Sequence, residues 1–276
     1  MTHDEFLDRV ASAKGDIYEG EVFQLVLSIR SQGEARTSPF QVYRALRMLN
    51  PSAYMYYLDI EGVRVAGASP EALFRCGDGQ ATLRPIAGTR KRGADEAQDR
   101  AMEAELLADP KEAAEHVMLV DLARNDLGRV ARPGTIRVDP FRVIERYSHV
   151  MHLVSGVRGE LDNGIDAMDL MAASFPAGTL VGTPKVRAMQ LIDAYEPVGR
   201  GLYAGAVGYF AKPVDGTPAS ADKAICIRTI VFEGDQYAYQ AGAGIVADSQ
   251  PEAEFQEVRS KVAVLERALE LAEGGW

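Results

Sequence analysis

The sequence has 276 residues, 47% hydrophobic and 25% charged, with a formal charge of −10. That is globular composition, with enough apolar mass for one large core or two small ones. The acidic balance offers no counter-charge to nucleic acid or to an anionic bilayer, which excludes both as the main partner. The only two cysteines, Cys76 and Cys226, lie far apart and outside any CxxC. They fit buried or free thiols in a reducing compartment better than a disulfide framework. The opening stretch MTHDEFLDRV is charged and has no apolar leader core, and no apolar run reaches membrane-spanning length, so a soluble, cytoplasmic protein is expected.

In chain order, residues 3–19 read as a helix and 21–30 (EVFQLVLSIR) as a strand. Residues 39–50 form an amphipathic helix opened by Pro39 and stopped by Asn50-Pro51. Strands follow at 53–60, 63–69, 72–77 and 81–88, separated by turn pairs such as Glu61-Gly62 and Asp78-Gly79. Residues 95–127 are helical with a break at Asp109-Pro110. Strands are expected at 134–138 and 142–158, helices at 164–174 and 184–194, strands at 202–211, 223–233 and 236–246, and a last helix at 251–272. KPVDGTPASAD (212–222) reads as an exposed loop. Strand runs with interspersed helices and hairpin-length turns predict an α+β fold of mostly antiparallel sheets with helices on the outside. No repeat or linker divides the chain, so one domain, 1–276, is expected.

Two Glu-x-x-Glu pairs stand out. Asp109-Pro110-Lys111-Glu112 carries an N-cap, an N1 proline and an N3 glutamate in order, marking a helix start. At helical spacing Glu112 and Glu115 share a face with Leu119 and Leu122. In the last helix Phe255, Val258, Val262, Leu265 and Leu269 form the apolar stripe, with Glu254 on its border and Glu257 further around the same flank. Such pairs are common on solvated helices. Four carboxylates converging would repel strongly unless a hard divalent cation such as Mg²⁺ lay between them.

Seven segments occur in a fixed order: RPIAGTRKRG (84–93), EHVMLVDLARNDLGRV (115–130), ERYSHVMHLVSGVRGEL (145–161), FPAGTLVGTPKVRAM (175–189), GLYAGAVGYF (201–210), AICIRT (224–229) and QAGAGIVADS (240–249). Together they resemble the chorismate-binding catalytic region of anthranilate synthase component I, from about residue 4 to residue 270. The resemblance implies large antiparallel sheets packed as a sandwich, and Mg²⁺-dependent chemistry on chorismate. It implies that Glu115 and Glu257 ligate the metal and that Glu112 and Glu254 support its water shell. Arg228 and Tyr203 are implied to serve the enolpyruvyl side chain, Gly242 and Gly244 to bring backbone N–H groups close, and Gly88, Thr89 and Thr179 to contact substrate. Read alone, the glycine segments are ordinary turns and Arg228 an ordinary surface residue. Lys185, at a helix start, has no assigned role.

Two positions discriminate within the family. Isochorismate- and salicylate-forming relatives place a water-activating lysine where this chain has Gln24. Aminodeoxychorismate synthases place a nucleophilic lysine where it has Ala87. Neither glutamine nor alanine does that chemistry, whereas ammonia needs neither. The resemblance therefore implies amination at C2, with Glu71 as the acid for the departing hydroxide and His152 tied to pyruvate elimination and aromatisation. His149 and His152 lie in a strand-like run, so they point to opposite faces and do not share a metal.

The chain departs from the family in three ways. Val181 and Thr183 stand where TLSGAPK is usual, Asp222-Lys223 replaces an acidic run, and the N-terminal domain carried by component I is not in the sequence. NPSAYMYY (50–57) nevertheless resembles that enzyme's tryptophan pocket. A glutamine amidotransferase subunit is the implied partner. Two accounts of the missing half stand open: a separate chain that carries it, or a truncated catalytic core whose sheet edges would be exposed. Two alternatives stand beside anthranilate formation: an aminodeoxyisochorismate synthase without pyruvate loss, and a non-catalytic subunit of the same fold.

Overall fold

Side-chain caps open most of the helices, whereas long strands such as Gln24–Glu34 and Gln236–Ile245 are buried in runs rather than in strict alternation. The computed structural model describes residues 1–147, 150–212 and 219–275. His149 and residues 213–218 of the expected loop lie outside them. The chain divides into two compact units: 1–71, 176–207 and 224–276 form the first, and 72–175 with 208–223 the second.

The first unit is built on a six-stranded sheet in the order β11-β1-β15-β14-β3-β2. Its strands are β1 (Gln24–Glu34), β2 (Tyr54–Ile60), β3 (Val63–Ser69), β11 (Gly182–Thr183), β14 (Thr229–Glu233) and β15 (Gln236–Ile245), and every pairing is antiparallel. Helices α1 (His3–Tyr18), α2 (Pro39–Leu49), α6 (Gly178–Val181), α7 (Lys185–Tyr195) and α8 (Pro251–Gly274) complete it. α1 opens with a full capping box on Thr2 and Glu5, and α2 with Ser38 as N-cap and proline in its first turn. Phe6, Leu25, Leu27, Leu46, Ile230, Phe232, Val262 and Leu265 lie in one continuous buried core, and the expected stripe of α8 supplies one wall of it.

The second unit holds the three-stranded sheet β6-β9-β8, with β6 (Ile86–Lys91), β8 (Val143–Arg146) and β9 (Val150–Val154). A six-stranded sheet runs β12-β13-β4-β5-β10-β7. Its members are β4 (Ala72–Gly77), β5 (Gln80–Leu83), β7 (Arg137–Val138), β10 (Val157–Glu160), β12 (Ala206–Ala211) and β13 (Ser220–Ile225). Helices α3 (Glu96–Ala108), α4 (Pro110–Gly128) and α5 (Ala167–Ser174) belong to this unit. The buried face of α4 is His116, Leu119, Val120, Ala123, Asp126 and Leu127.

The fold class expected from sequence is the one observed, while several long strands are corrected. The run 81–88 is two strands, β5 and β6, broken at Arg84-Pro85 because proline cannot donate to a ladder. The run 142–158 is three strands. Its second break falls at Gly156, where a Cβ would stand 2.5 Å from the Asp139 carbonyl oxygen. The run 223–233 stops at Ile225 and resumes at Thr229, around Arg228 with φ +50°. Strand 21–30 runs from 24 to 34, 134–138 shrinks to 137–138, and 202–211 begins only at 206, after a turn. The short α6 and β11, inside FPAGTLVGTP, have too few residues to show any period.

Candidate active site

In the first unit, Thr179 and Arg228 meet at the carboxyl group of Glu71, and Tyr203 and Glu257 lie near Arg228. Glu71 follows β3, its backbone held by Ser69 Oγ and by the N–H of Ile225, which donates to Glu71 O at 3.0 Å. Thr179 Oγ1, on α6, donates to Glu71 Oε1 at 3.0 Å. Burial pushes the Glu71 carboxyl up to about 7, against the opposing pull of that hydrogen bond and of the nearby cations Lys261 and Arg228. Arg228 is itself held below its ordinary value by desolvation, with Tyr203, Glu257 and Glu71 acting the other way. Its left-handed backbone is uncommon for a non-glycine residue and marks a side chain aimed by its surroundings.

Tyr203 sits in the turn that precedes β12, and desolvation raises its phenol to about 12, so it acts as a neutral donor. Its hydroxyl lies against Gly242, where an added Cβ would come within 2.9 Å of Tyr203 Oη and 2.6 Å of the Leu27 carbonyl oxygen. Beyond Tyr239, β15 pairs only with β1, since β14 ends its register there. The Gly242 carbonyl accepts from Lys261 Nζ at 2.8 Å. A strand residue's N–H and C=O share one edge, so the N–H groups of Gly242 and Gly244 face that open edge with it. Gln24, at the start of β1, is 4% exposed, and its Nε2 lies where a Gly244 side chain would be. Gln24 Oε1 is a buried acceptor without a hydrogen-bond partner among the described residues.

On α8, Glu254 is partly buried and Glu257 exposed. Glu257 Oε1 accepts from Lys261 Nζ at 2.6 Å. Lys261, which sequence reasoning missed, thus reaches Glu257 and Gly242 together. The four-residue spacing Glu257-Lys261 was its only signal.

In the second unit, β6 and β9 place Thr89 opposite His152. Thr89 Oγ1 lies 3.0 Å from His152 Nδ1, and the Gly88 carbonyl oxygen 3.3 Å from the same nitrogen. The ring of Tyr147 stands edge-on to His152, centroids 5.6 Å apart. Gly88 has φ +62°, a conformation that favours glycine, and Glu112 Oε2 lies 3.0 Å from where a Cβ would stand.

Glu112 and Glu115 are both partly buried on the flank of α4. Asp109 caps α4 as expected, accepting from Lys111 N at 2.9 Å and Glu112 N at 3.2 Å. Glu112 does not complete a capping box, because Asp109 N–H already donates to Glu105 O. Its carboxylate accepts instead from Arg90 Nη1 at 3.0 Å, and Arg90 also binds Glu105 and Asp109. Arg90 is a second residue the sequence did not single out.

Among the described residues, no group of three or more His, Cys, Asp or Glu side chains stands gathered as a metal site. The two glutamate pairs are nevertheless all-oxygen donors of the kind a hard cation takes, and the ion pairs to Arg90 and Lys261 engage a single oxygen, Oε1, of Glu112 and of Glu257. Chemically the residues fit Mg²⁺. No described helix is long and apolar enough to cross a membrane.

In the first unit, a carboxyl group raised to about 7 and a desolvated arginine suit acid-base chemistry on an anion. The second unit has its own oriented histidine. The chain belongs to the chorismate binding enzyme family, whose model matches residues 1–267. It is similar to anthranilate synthase component 1 of Aquifex aeolicus, 54% identical over 273 residues that cover 99% of this chain and 54% of that protein. The chain therefore spans about half the length of the curated relatives it matches. Among solved structures, anthranilate synthase component I of Streptococcus pneumoniae superposes with a TM-score of 0.88 at 41% identity, covering 96% of this chain and 58% of that one. The menaquinone-specific isochorismate synthase of Escherichia coli superposes at 0.87 with 27% identity, covering 98% and 61%.

Proposed function

We propose that the chain catalyses Mg²⁺-dependent amination of chorismate at C2, followed by loss of pyruvate to give anthranilate, with ammonia taken free or delivered by a glutamine amidotransferase partner. The observation that carries this reading is Glu71, whose carboxyl is held near 7 and oriented by Thr179; glutamine rather than lysine at position 24 favours ammonia over water as the nucleophile. A carboxylic acid protonated near neutrality supplies the proton with which the ring hydroxyl leaves as water when ammonia attacks. Arg228 and the Tyr203 hydroxyl offer charge and a donor to the enolpyruvyl carboxylate, and the N–H groups of Gly242 and Gly244 add directed donors. His152, its Nδ1 committed to Thr89 and Gly88, is the group suited to move the ring proton when pyruvate departs. Mg²⁺, when bound, would neutralise the ring carboxylate; Glu115 and Glu257 would hold it, and Glu112 and Glu254 would order its waters.

The test is direct. The purified chain, given chorismate, ammonium and Mg²⁺, should form fluorescent anthranilate and pyruvate in equal amounts. Glu257→Gln should fold as wild type and lose both products. Amination without pyruvate would mark an aminodeoxyisochorismate synthase, and no consumption of chorismate at all a non-catalytic subunit. Full activity in Glu257→Gln would contradict the metal assignment.

A further inference from the structure

Arg200 and Glu196 form a buried ion pair that none of this chemistry uses. Their side chains are 13% and 4% exposed. Arg200 Nε donates to Glu196 Oε2 at 2.9 Å and Nη2 to Glu196 Oε1 at 2.6 Å, a two-pronged pair. An isolated pair of this kind repays its desolvation only when the remaining donors and acceptors are also satisfied. Here four further hydrogen bonds surround the pair, and the partners are informative.

Arg200 Nη1 donates to the Leu180 carbonyl oxygen at 2.6 Å, next to Thr179. Nη2 donates to Val26 O at 2.9 Å, two residues along β1 from Gln24. Glu196 Oε1 accepts from Ser28 N at 2.9 Å and Ser28 Oγ at 2.6 Å, and Ser28 is the register partner of Gly242. Gln240 Nε2 closes the network on Ser28 Oγ at 2.7 Å. The Arg200 carbonyl accepts from Tyr203 N at 3.0 Å, closing the turn that carries Tyr203, and its guanidinium lies 5.5 Å from that ring's centroid. The ion pair therefore touches the segments that carry Gln24, Thr179 and Tyr203 and reaches that of Gly242 through Ser28, yet is aimed at none of their reacting groups.

We propose that Arg200, clamped by Glu196, is a positioning residue: it fixes the Tyr203 turn and the α6 turn against β1, so that Tyr203, Thr179 and the glycine edge of β15 are held in one arrangement before substrate arrives. The part that concerns substrate rests on the proposed chorismate reaction; the mechanical part does not. A lysine at this position keeps the charge but cannot span Leu180 O, Val26 O and both Glu196 oxygens.

Two measurements test this on Arg200→Lys, with Glu196→Gln/Arg200→Gln as a second variant that leaves no buried charge unpaired. Hydrogen exchange should show faster amide exchange in 178–182 and 200–205, with the α8 amides as protected as in wild type. Unchanged protection in those two segments, or a uniform loss throughout the first unit, would overturn the brace. In the ammonium assay, the chorismate KM should rise about tenfold, the scale of one or two charge-assisted hydrogen bonds, while kcat stays within about twofold. Combined with Tyr203→Phe, the increments in KM should fall short of multiplying, because both act through one contact. A fall in kcat with unchanged KM, as from a smaller folded fraction, or strictly multiplicative increments, would refute the positioning role. If the wild-type chain does not consume chorismate, the function proposed above fails, and the exchange data alone decide whether the brace exists.

Discussion

A carboxyl group that is to hand over a proton near neutrality, the role proposed for Glu71, has to be kept from ionising at lower pH. Burial raises its pKa to about 7, while the Thr179 hydrogen bond and the charges of Lys261 and Arg228 keep the rise from going further. The sign of the linkage follows. Between the ordinary 4.5 and about 7 the folded chain holds a proton that the unfolded chain has released, so stability falls as pH rises through that interval and stays lower above it. Glu71→Gln cannot ionise and should escape this loss. Its melting temperature relative to wild type should climb between pH 5 and pH 8, and an unchanged difference would mean that Glu71 is not a desolvated acid. Wild-type turnover should also decline above about pH 7 as the proton is lost, and Glu71→Gln should be inactive throughout. His116, by contrast, is buried with its Nε2 on Ser155 Oγ at 2.6 Å, and burial lowers it to about 4. It stays neutral in the folded chain, but the unfolded chain takes up its proton below 6.5. His116 therefore adds a slope of opposite sign between about 4 and 6.5, which cancels when Glu71→Gln is compared with wild type.

At the scale of elements, close approach of backbone decides what the site segments tolerate. Gly182 opens β11 with φ +120°, and a Cβ there would stand 2.1 Å from the Gln24 carbonyl oxygen. Gly79 also has positive φ, +72°, but nothing lies within 4 Å of its missing Cβ. Alanine at 79 should cost about 1 kcal/mol, the ordinary left-handed penalty. Alanine at 182 should cost roughly 3 kcal/mol or more, since backbone must move, and should disturb Gln24. Urea unfolding of the two variants measures the contrast; equal losses would show that strain alone is at work. The same physics explains what was legible in the sequence. Pro39 and Asp109-Pro110 announced their helices because a helix start is a local rule, and the α8 stripe fell on the residues that line the core. Breaks inside apolar runs were not legible, because hydrophobic period is silent about a proline between two strands or a left-handed arginine. Gln24, Glu71, Thr179, Tyr203 and Arg228 became candidates only through resemblance, since each depends on neighbours far along the chain. Arg90, Lys261 and Arg200 escaped for a related reason: their roles are defined wholly by which carboxylates and carbonyls surround them.

At the scale of the whole molecule, the proposed amination requires a source of nitrogen. Releasing ammonia from glutamine calls for an activated nucleophile, typically a thiolate, and this chain has two cysteines to offer. Both are buried and free. Desolvation raises the thiol of Cys76, with Asp166 adding to the effect, and desolvation likewise raises Cys226 against a hydrogen bond from Tyr56. Neither has the depressed pKa and access that a nucleophilic cysteine needs. The chain should therefore use ammonium but not glutamine when assayed alone, and should gain glutamine-dependent anthranilate formation only with an amidotransferase added. Iodoacetamide sharpens the test. Applied to the folded chain at pH 7.5 (an ordinary assay pH at which unshifted thiols are only slightly ionised), it should leave both thiols largely unmodified and ammonium-dependent turnover intact, whereas the urea-unfolded chain should take up two equivalents, one for each cysteine. Glutamine-driven product from the isolated chain, abolished by alkylation, would overturn the view that the nitrogen donor must be prepared elsewhere.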